Sequence, residues 1–355
     1  MNITTKTHNI TNFVILSLPK FLLASALLLV STTSGAQKID YHKNYYPLVH
    51  QAEMHIVENR HSLALGAYSR AFSLVPSPFA RDMYNAAVCA TLCNEQQQAL
   101  RLLEGLLLKG ASFSFLKGQQ IFAAVVQLPE WEMLEQKNTL VHEQYLKQIL
   151  LPVRKELEWM NAREQYFLLK AGYETYRDTL RSIHGQNVAR FRQIWKEYGF
   201  PSERLVGIEE PDRFPVYHFL LSQHCQRASV GETDGIADFP GLKEEVKYGN
   251  LPPHLFASYV DLQGRNRYGT RTLFRLDGEK ALRTFVLPAD AARKTDRRRQ
   301  QTGLETLADY HKKVLFALQD HRFLFPYSGS IMVLRGLDGT ELQKILKESR
   351  PLTGQ

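Results

Sequence analysis

The sequence predicts a mainly α protein: short helical repeats, then a helical domain carrying a small β hairpin. Three observations lead there. Apolar residues recur at steps of three and four through most of residues 45–320, the period of helices that bury one face. A pattern of small and bulky residues, opened by Ala64, returns 35 residues later at Ala99. One stretch, Thr272 to Leu287, changes to strand-like patterning around Asp277-Gly278, a pair suited to a tight hairpin turn.

The first 36 residues read as an export leader. Lys20 precedes ten apolar residues, Phe21 to Val30, and Ser34-Gly-Ala36 supplies a small-x-small exit, so cleavage is expected after Ala36. Ten helical residues cover about 15 Å against a hydrocarbon core of ~30 Å, too little for a membrane anchor. No later stretch is long and apolar enough to span a bilayer, so an exported, periplasmic or secreted product without a membrane span is expected. Removing Lys6 and Lys20 lowers the formal charge from +8 to +6 over the remaining 319 residues. This mild excess, an exported address and the lack of a groove-reading motif argue against nucleic acid as a partner.

Residues 37–148 form the first expected domain. Ala64, Tyr68 and Ala71 share one helical face before Pro76; Tyr84, Ala87, Val88 and Thr91 share the next, then Ala99, Leu103 and Leu106. Small residues let helices approach and bulky ones fill the gap a turn later. Over residues 45–110 this resembles about two tetratricopeptide repeats. The resemblance implies a groove for a protein or peptide, with Asn85 as a groove-facing polar residue, and residues 112–145 completing the stack.

A single long helix is expected from Pro152 to His184. Trp159, Ala162, Tyr166, Leu169, Tyr173, Tyr176 and Leu180 form an amphipathic stripe, read as a core face rather than a stacking surface for sugars, with Gly172 at a close contact or slight bend. The second domain, 149–325, continues with helices through Val188–Tyr198, Val216–Gln226, Asp238–Tyr248 and from Pro252-Pro253 to Asp261. After the hairpin, a basic stretch, Arg293 to Arg299, leads to a last amphipathic helix with Leu304, Leu307, His311, Val314 and Leu318. Residues 326–355 are weakly patterned and read as a partly ordered tail, with Ser328-Gly-Ser330 as a turn.

Several strings in this half belong together: Trp195-Lys-Glu-Tyr-Gly-Phe-Pro201 with Leu205-Val-Gly207, Gln223-His224, Arg267-Tyr-Gly-Thr270, and Asp296-Arg-Arg-Arg299 before Gly303-Leu304. In order and spacing, residues 150–320 resemble a bacterial domain family that has no assigned biochemical role. The resemblance groups Gln223, His224, Tyr268, Arg298 and Arg299. Glu164-Gln165 stands where that family has Asp-Gln, a longer acid than its pattern expects.

The chemistry open to these residues is acid–base and anion binding. His224 is a candidate base, Asp261 a candidate orienting acid, Tyr268 a hydroxyl, and Arg298 and Arg299 a bidentate anion clamp. Each has a structural alternative: a hydrogen-bonded core histidine, a cap or ion-pair acid, turn chemistry, a solvated basic face. No Gly-x-Ser-x-Gly, phosphate-loop or dinucleotide glycine pattern occurs, and no His-Glu-x-x-His or Cys-x-x-Cys, so no cofactor or metal is implied. Cys89 and Cys93, four apart on a helix, are too distant to bridge each other, and burial is expected for the cysteines, with either able to pair with Cys225. The reading that follows is an exported binding or scaffolding protein of the bacterial envelope, using the repeat groove or the face between domains. The alternative is a hydrolytic enzyme built on His224, Asp261 and the arginines. An enzyme requires His224 in an open pocket with Asp261 and an arginine in reach; a scaffold requires it enclosed and satisfied. Substrate and oligomeric state are not legible.

Overall fold

The computed structural model describes residues 39–325 and 331–352, with the backbone alone at 171–174 and 265. The expected leader, Ser328-Gly-Ser330 and the side chains of Gly172 and Tyr173 lie outside the described residues. The protein is mainly α. Its first helices are α1 (Tyr41–Asn44), α2 (Tyr46–Val57), α3 (His61–Ser73), α4 (Ala80–Leu92) and α5 (Gln96–Lys109). Turns of a few residues join α2 to α3 and α4 to α5, so each pair folds back on itself. Ala52, Ala64, Ala67, Ala71, Ala86, Ala87, Ala90 and Ala99 are all buried, and such small side chains let the helix backbones pack closely. Cys89 and Cys225 are buried and Cys93 half-buried, all as free thiols.

Next come α6 (Phe113–Gly118), α7 (Pro129–Gln136), α8 (Asn138–Gln148), α9 (Leu151–Thr175) and α10 (Arg177–Tyr198). The single helix expected over 152–184 is a hairpin, broken at Tyr176, where φ is −117° and ψ 26°. Glu156 pairs with Arg190, Asn187 donates to Met160 O at 3.2 Å, and Glu164 meets His184, so the two helices run antiparallel. Unbroken, the segment would be a rod of roughly 50 Å with no partner for this polar face. The same pairing overturns the expected core stripe. Trp159, Tyr166 and Leu169 are 59%, 57% and 81% exposed, while Val153, Leu157, Met160 and Glu164, one register away, are buried. An internal carboxylate with partners outranks a solvent-facing aromatic row in choosing which side turns inward.

The remaining helices are α11 (Glu203–Val206), α12 (His218–Ala228), α13 (Leu242–Lys247), α14 (Pro253–Val260), α15 (Ala289–Gln300) and α16 (Leu307–Ala317). The basic stretch Arg293–Arg299 is thus itself helical. The hairpin is present as β1 (Leu273–Leu276) and β2 (Arg283–Phe285), antiparallel, with Leu273 opposite Thr284. The turn after β1 is closed by Glu279 N donating to Leu276 O at 3.0 Å. The part of the tail within the described residues is more ordered than the sequence suggested. β3 (Met332–Leu334) pairs parallel with β1, α17 (Gly339–Glu348) starts in an Asp338/Glu341 capping box, and β4 (Ser349–Pro351) pairs antiparallel with β2. A four-stranded sheet, β3-β1-β2-β4, replaces the simple hairpin. Its two added strands are three residues each, too short to produce a period in sequence. Among the described residues no helix is long and apolar enough to cross a membrane.

One continuous apolar core joins the early helices to the later ones. Tyr46 Oη donates to Val246 O at 2.6 Å, His50 Nε2 meets Gly303 O at 2.8 Å, and Asn85 grips Leu324. Gly303 sits at φ +83°, where a Cβ would come within 2.4 Å of the Tyr46 ring. Gly278 has a similar φ of +80° with open space around it. Gly278→Ala should therefore lose about 1 kcal/mol through the left-handed backbone alone. Gly303→Ala adds overpacking against Tyr46 and should lose about 3 kcal/mol. Urea unfolding of both variants checks the difference; equal losses would mean that the Tyr46 contact yields freely.

Candidate functional site

His224 on α12 is 4% exposed and lies within a chain of four side chains. Glu164 Oε1 is 2.9 Å from His184 Nδ1, His184 Nε2 is 3.1 Å from His224 Nδ1, and His224 Nε2 is 2.8 Å from Asp238 Oδ2. Asn187 donates to the other Glu164 oxygen at 3.1 Å, and Arg227 lies 3.5 Å from Oε1. Both end carboxylates accept, so His184 Nδ1 and His224 Nε2 carry hydrogens, and the central contact needs one more. Burial draws His224 below its ordinary value, partly offset by its bond to Asp238.

Asp261 is not part of this chain. Fully buried at the end of α14, it accepts from Tyr268 N at 2.9 Å, Thr270 N at 2.9 Å and Thr270 Oγ1 at 2.8 Å. It thereby ties the Tyr-Gly-Thr turn instead of orienting His224, because three donors of that turn already fill its oxygens. Tyr268 Oη meets Thr302 Oγ1 at 3.2 Å. Arg299, 1% exposed, donates to Tyr268 O at 2.8 Å and Glu305 O at 2.7 Å, and lies 4.9 Å over the Tyr310 ring. Arg298 is exposed on the opposite side of α15, so the two arginines do not form a clamp. The structure thus brings Asp261, Tyr268, Thr270 and Arg299 together, and His224 with half-buried Gln223 elsewhere. Asn85 is buried on α4: its amide donates to Leu324 O and accepts from Leu324 N, both at 2.7 Å. The expected groove position is occupied by the chain itself.

Sequence reasoning missed a buried set of charges between α2, α4, α14 and α16. Lys313 Nζ donates to Glu53 at 2.5 Å and lies 3.7 Å from Glu305; His50 is 3.5 Å from each carboxylate. Burial works to raise both acids, yet Lys313 and His50 hold Glu53 well below the usual carboxylate range and, with Arg299, hold Glu305 at about 2. Beside them Asp82 accepts from Tyr45 Oη at 2.7 Å and lies 3.5 Å from Arg81; burial raises it to about 6, with Arg81 opposing. His50, Glu53, Arg81, Asp82, Arg299 and Glu305 line a chamber of about 30 Å³, room for about one water. Glu53 Oε1, Arg81 Nε and Asp82 Oδ1 are buried with no hydrogen-bond partner among the described residues. The available signal was a charge on an apolar helical face: Glu53 among Val49, Ala52 and Ile56, and Lys313 among Tyr310, Val314 and Ala317.

The chamber adjoins a larger cleft of about 280 Å³. Phe79, Arg81, Pro252 and His254 border both spaces. Arg81 Nη1 is 3.4 and 3.3 Å from the two His254 ring nitrogens, a near-equal reach that puts it over the ring. Burial and the Arg81 charge keep His254 far below its ordinary value, hence neutral. Across the cleft, Phe214 stacks on His218 at 4.0 Å between ring centroids, and Phe323, Leu324 and Phe325 form the facing wall. Glu203, at the edge, accepts from Ala80 N at 2.9 Å and lies 3.7 Å from Lys109. Among the described residues no three His, Cys, Asp or Glu side chains are grouped to hold a metal ion. No family model, curated protein or solved structure matches this chain.

Breaking the buried ion set should be costly. Lys313→Met leaves Glu53 and Glu305 facing each other without their cation, an expected loss of about 3–5 kcal/mol, and adding Glu53→Gln should restore part of it. Denaturant unfolding decides; a single variant as stable as the parent would show that the charges are not mutually dependent.

Acid should also destabilise the fold. Burial lowers His218 and His311 to about 4, and His254 further. For each, the unfolded chain takes up a proton that the folded chain refuses, so stability is lost as pH falls from about 6.5 towards 4. His218 and His311 each cost roughly 2 kcal/mol at pH 5 and His254 acts in the same direction, while Asp82, raised, returns roughly 1 kcal/mol over the same interval. The urea midpoint should fall between pH 7 and pH 5, and His311→Gln should flatten that slope; a midpoint rising towards pH 5 contradicts it.

Proposed function

We propose that this is an exported binding protein of the bacterial envelope, acting through the cleft between α4 and the later helices and not through catalysis at His224. The observation that carries this reading is the contrast between two histidine sites. His224 is enclosed, with both ring nitrogens engaged. Arg81 and His254 instead border a cleft of about 280 Å³ with apolar walls, close to the lower end of pockets that hold small molecules. A general base must reach a substrate proton, and His224 lines neither the chamber nor the cleft beside Arg81. The groove reading is narrowed by Asn85, whose amide is already taken by Leu324. A partner peptide in the groove would need to displace this segment, whereas the cleft is open as it stands.

The test is ligand-observed NMR of the protein from Gln37 onward against a library of small polar and amphiphilic fragments. Leu324→Trp fills the cleft while leaving the backbone clamp to Asn85 in place. Hits lost in Leu324→Trp and kept in His224→Gln are expected. Turnover of any hit that vanishes with His224→Gln in a folded variant would move the protein to the enzymatic reading. The N-terminal residue of protein recovered outside the cytoplasm checks export; Gln37 is expected.

A further inference from the structure

The cleft has a charge at its floor and apolar walls, and its ionic groups are unequal in their commitments. Arg81 lies within 3.5 Å of Asp82, but that acid is already bonded by Tyr45, and Arg81 Nε has no partner among the described residues although it is buried. Of its other neighbours, Glu53 is already held by Lys313, and His254 is neutral and lies beneath the guanidinium, so it supplies no countercharge. On the opposite side, Glu203 is engaged by Ala80 N and Lys109, which removes it as a receptor for a ligand cation. Asp212 stands exposed at the mouth, where water screens it, beside Arg213, which is also exposed. The walls between floor and mouth are Phe79, Phe214, Leu255 and Phe323.

Resting on the cleft-binding reading above, we propose that the cleft takes a small monocarboxylic acid with an apolar, preferably aromatic body. Its carboxylate pairs with the Arg81 guanidinium and its body lies between Phe214 and Phe323. An arginine fork offers two parallel N–H donors to a carboxylate, and the apolar walls exclude water from that pair. One half-buried guanidinium matches one negative charge. A phosphate would bring further charge and further acceptor oxygens, for which Phe79, Phe214, Leu255 and Phe323 offer no donors, while Arg213 and His321 stand exposed to water. A cation would meet Arg81.

Phenylacetate, phenylacetamide and inorganic phosphate are the probes, titrated against the full mature protein by calorimetry and by chemical-shift mapping. Saturable phenylacetate binding with a Kd of about 1 mM or tighter is expected. The amide and phosphate should bind at least tenfold more weakly. Arg81→Lys keeps the buried positive charge and the fold but loses the fork, and should weaken phenylacetate at least tenfold without changing the amide. Phe214→Ala, on the exposed rim, should weaken phenylacetate and amide alike. Equal binding of acid and amide, both lost in Leu324→Trp, overturns the carboxylate assignment and leaves the cleft as the binding site. Phenylacetate binding that survives Leu324→Trp overturns the site itself and the reading on which it rests. Absence of phenylacetate binding overturns the ligand class, and the fragment screen then decides the broader reading independently.

Discussion

A lysine ammonium on α16, buried to 3% exposure, lies 2.5 Å from Glu53 on α2 and 3.7 Å from Glu305. The contact closes 260 residues of chain, and none of the three charges can return to water without separating those helices. A buried ion set of this kind adds little net stability against an apolar replacement, but it tolerates only one geometry, because each misplacement leaves a charge in low dielectric. The specificity is visible around it. His50 bridges the two acids and reaches Gly303 O, and Gly303 in turn has no Cβ because the Tyr46 ring occupies that space. Arg299 adds the link from Glu305 to the Tyr-Gly-Thr turn. The position of α2 and α4 relative to the later helices follows from these contacts, and so does the cleft between them.

Two buried polar systems in one chain have opposite characters. The row Glu164–His184–His224–Asp238 is filled end to end, with a partner at every ring nitrogen. Such a row fixes α9, α10 and α12 against one another and gains nothing from a ligand. The chamber beside Arg81 leaves Glu53 Oε1, Arg81 Nε and Asp82 Oδ1 without partners among the described residues. Desolvated polar atoms left unpaired cost about 1–3 kcal/mol each, so a molecule or water that reaches them recovers part of that. The proposed function therefore rests on the incomplete system.

Much of the helical pattern was legible, because amphipathic period and caps are local properties. Pro253 at the start of α14 and the Asp-Gly turn both act where the sequence puts them. The register of α9 was not legible. Its aromatic row is the better apolar stripe by composition, yet Glu164 turns inward because His184, Asn187 and Arg227 wait on neighbouring helices. No window of one helix contains that information. For the candidate site, the family-like strings grouped Gln223, His224, Tyr268, Arg298 and Arg299; of these, Tyr268 and Arg299 lie in contact, and Asp261 binds the same turn. His224 sits in a different cluster, since shared occurrence along a chain does not specify a shared pocket. Arg81 and His254 carried no motif at all: one follows an alanine at the start of α4, the other a proline pair.

The occupied position at Asn85 bears on what the early helices can do. A carboxamide that donates to a backbone carbonyl and accepts from the same residue's N–H reads extended chain without regard to side chain. Here it reads Leu324, while Phe323 packs against Phe316 and His61. The chain thus fills its own helical surface with an extended segment, and that segment is also the wall of the cleft. Anything bound in the cleft touches Phe323–Phe325 directly, so its affinity depends on the Asn85 clamp even though Asn85 never meets it. Weakening the clamp raises the freedom of one wall and reduces preorganisation, which costs binding without removing a contact. The helix pairs, on this view, serve the cleft by holding one side of it still.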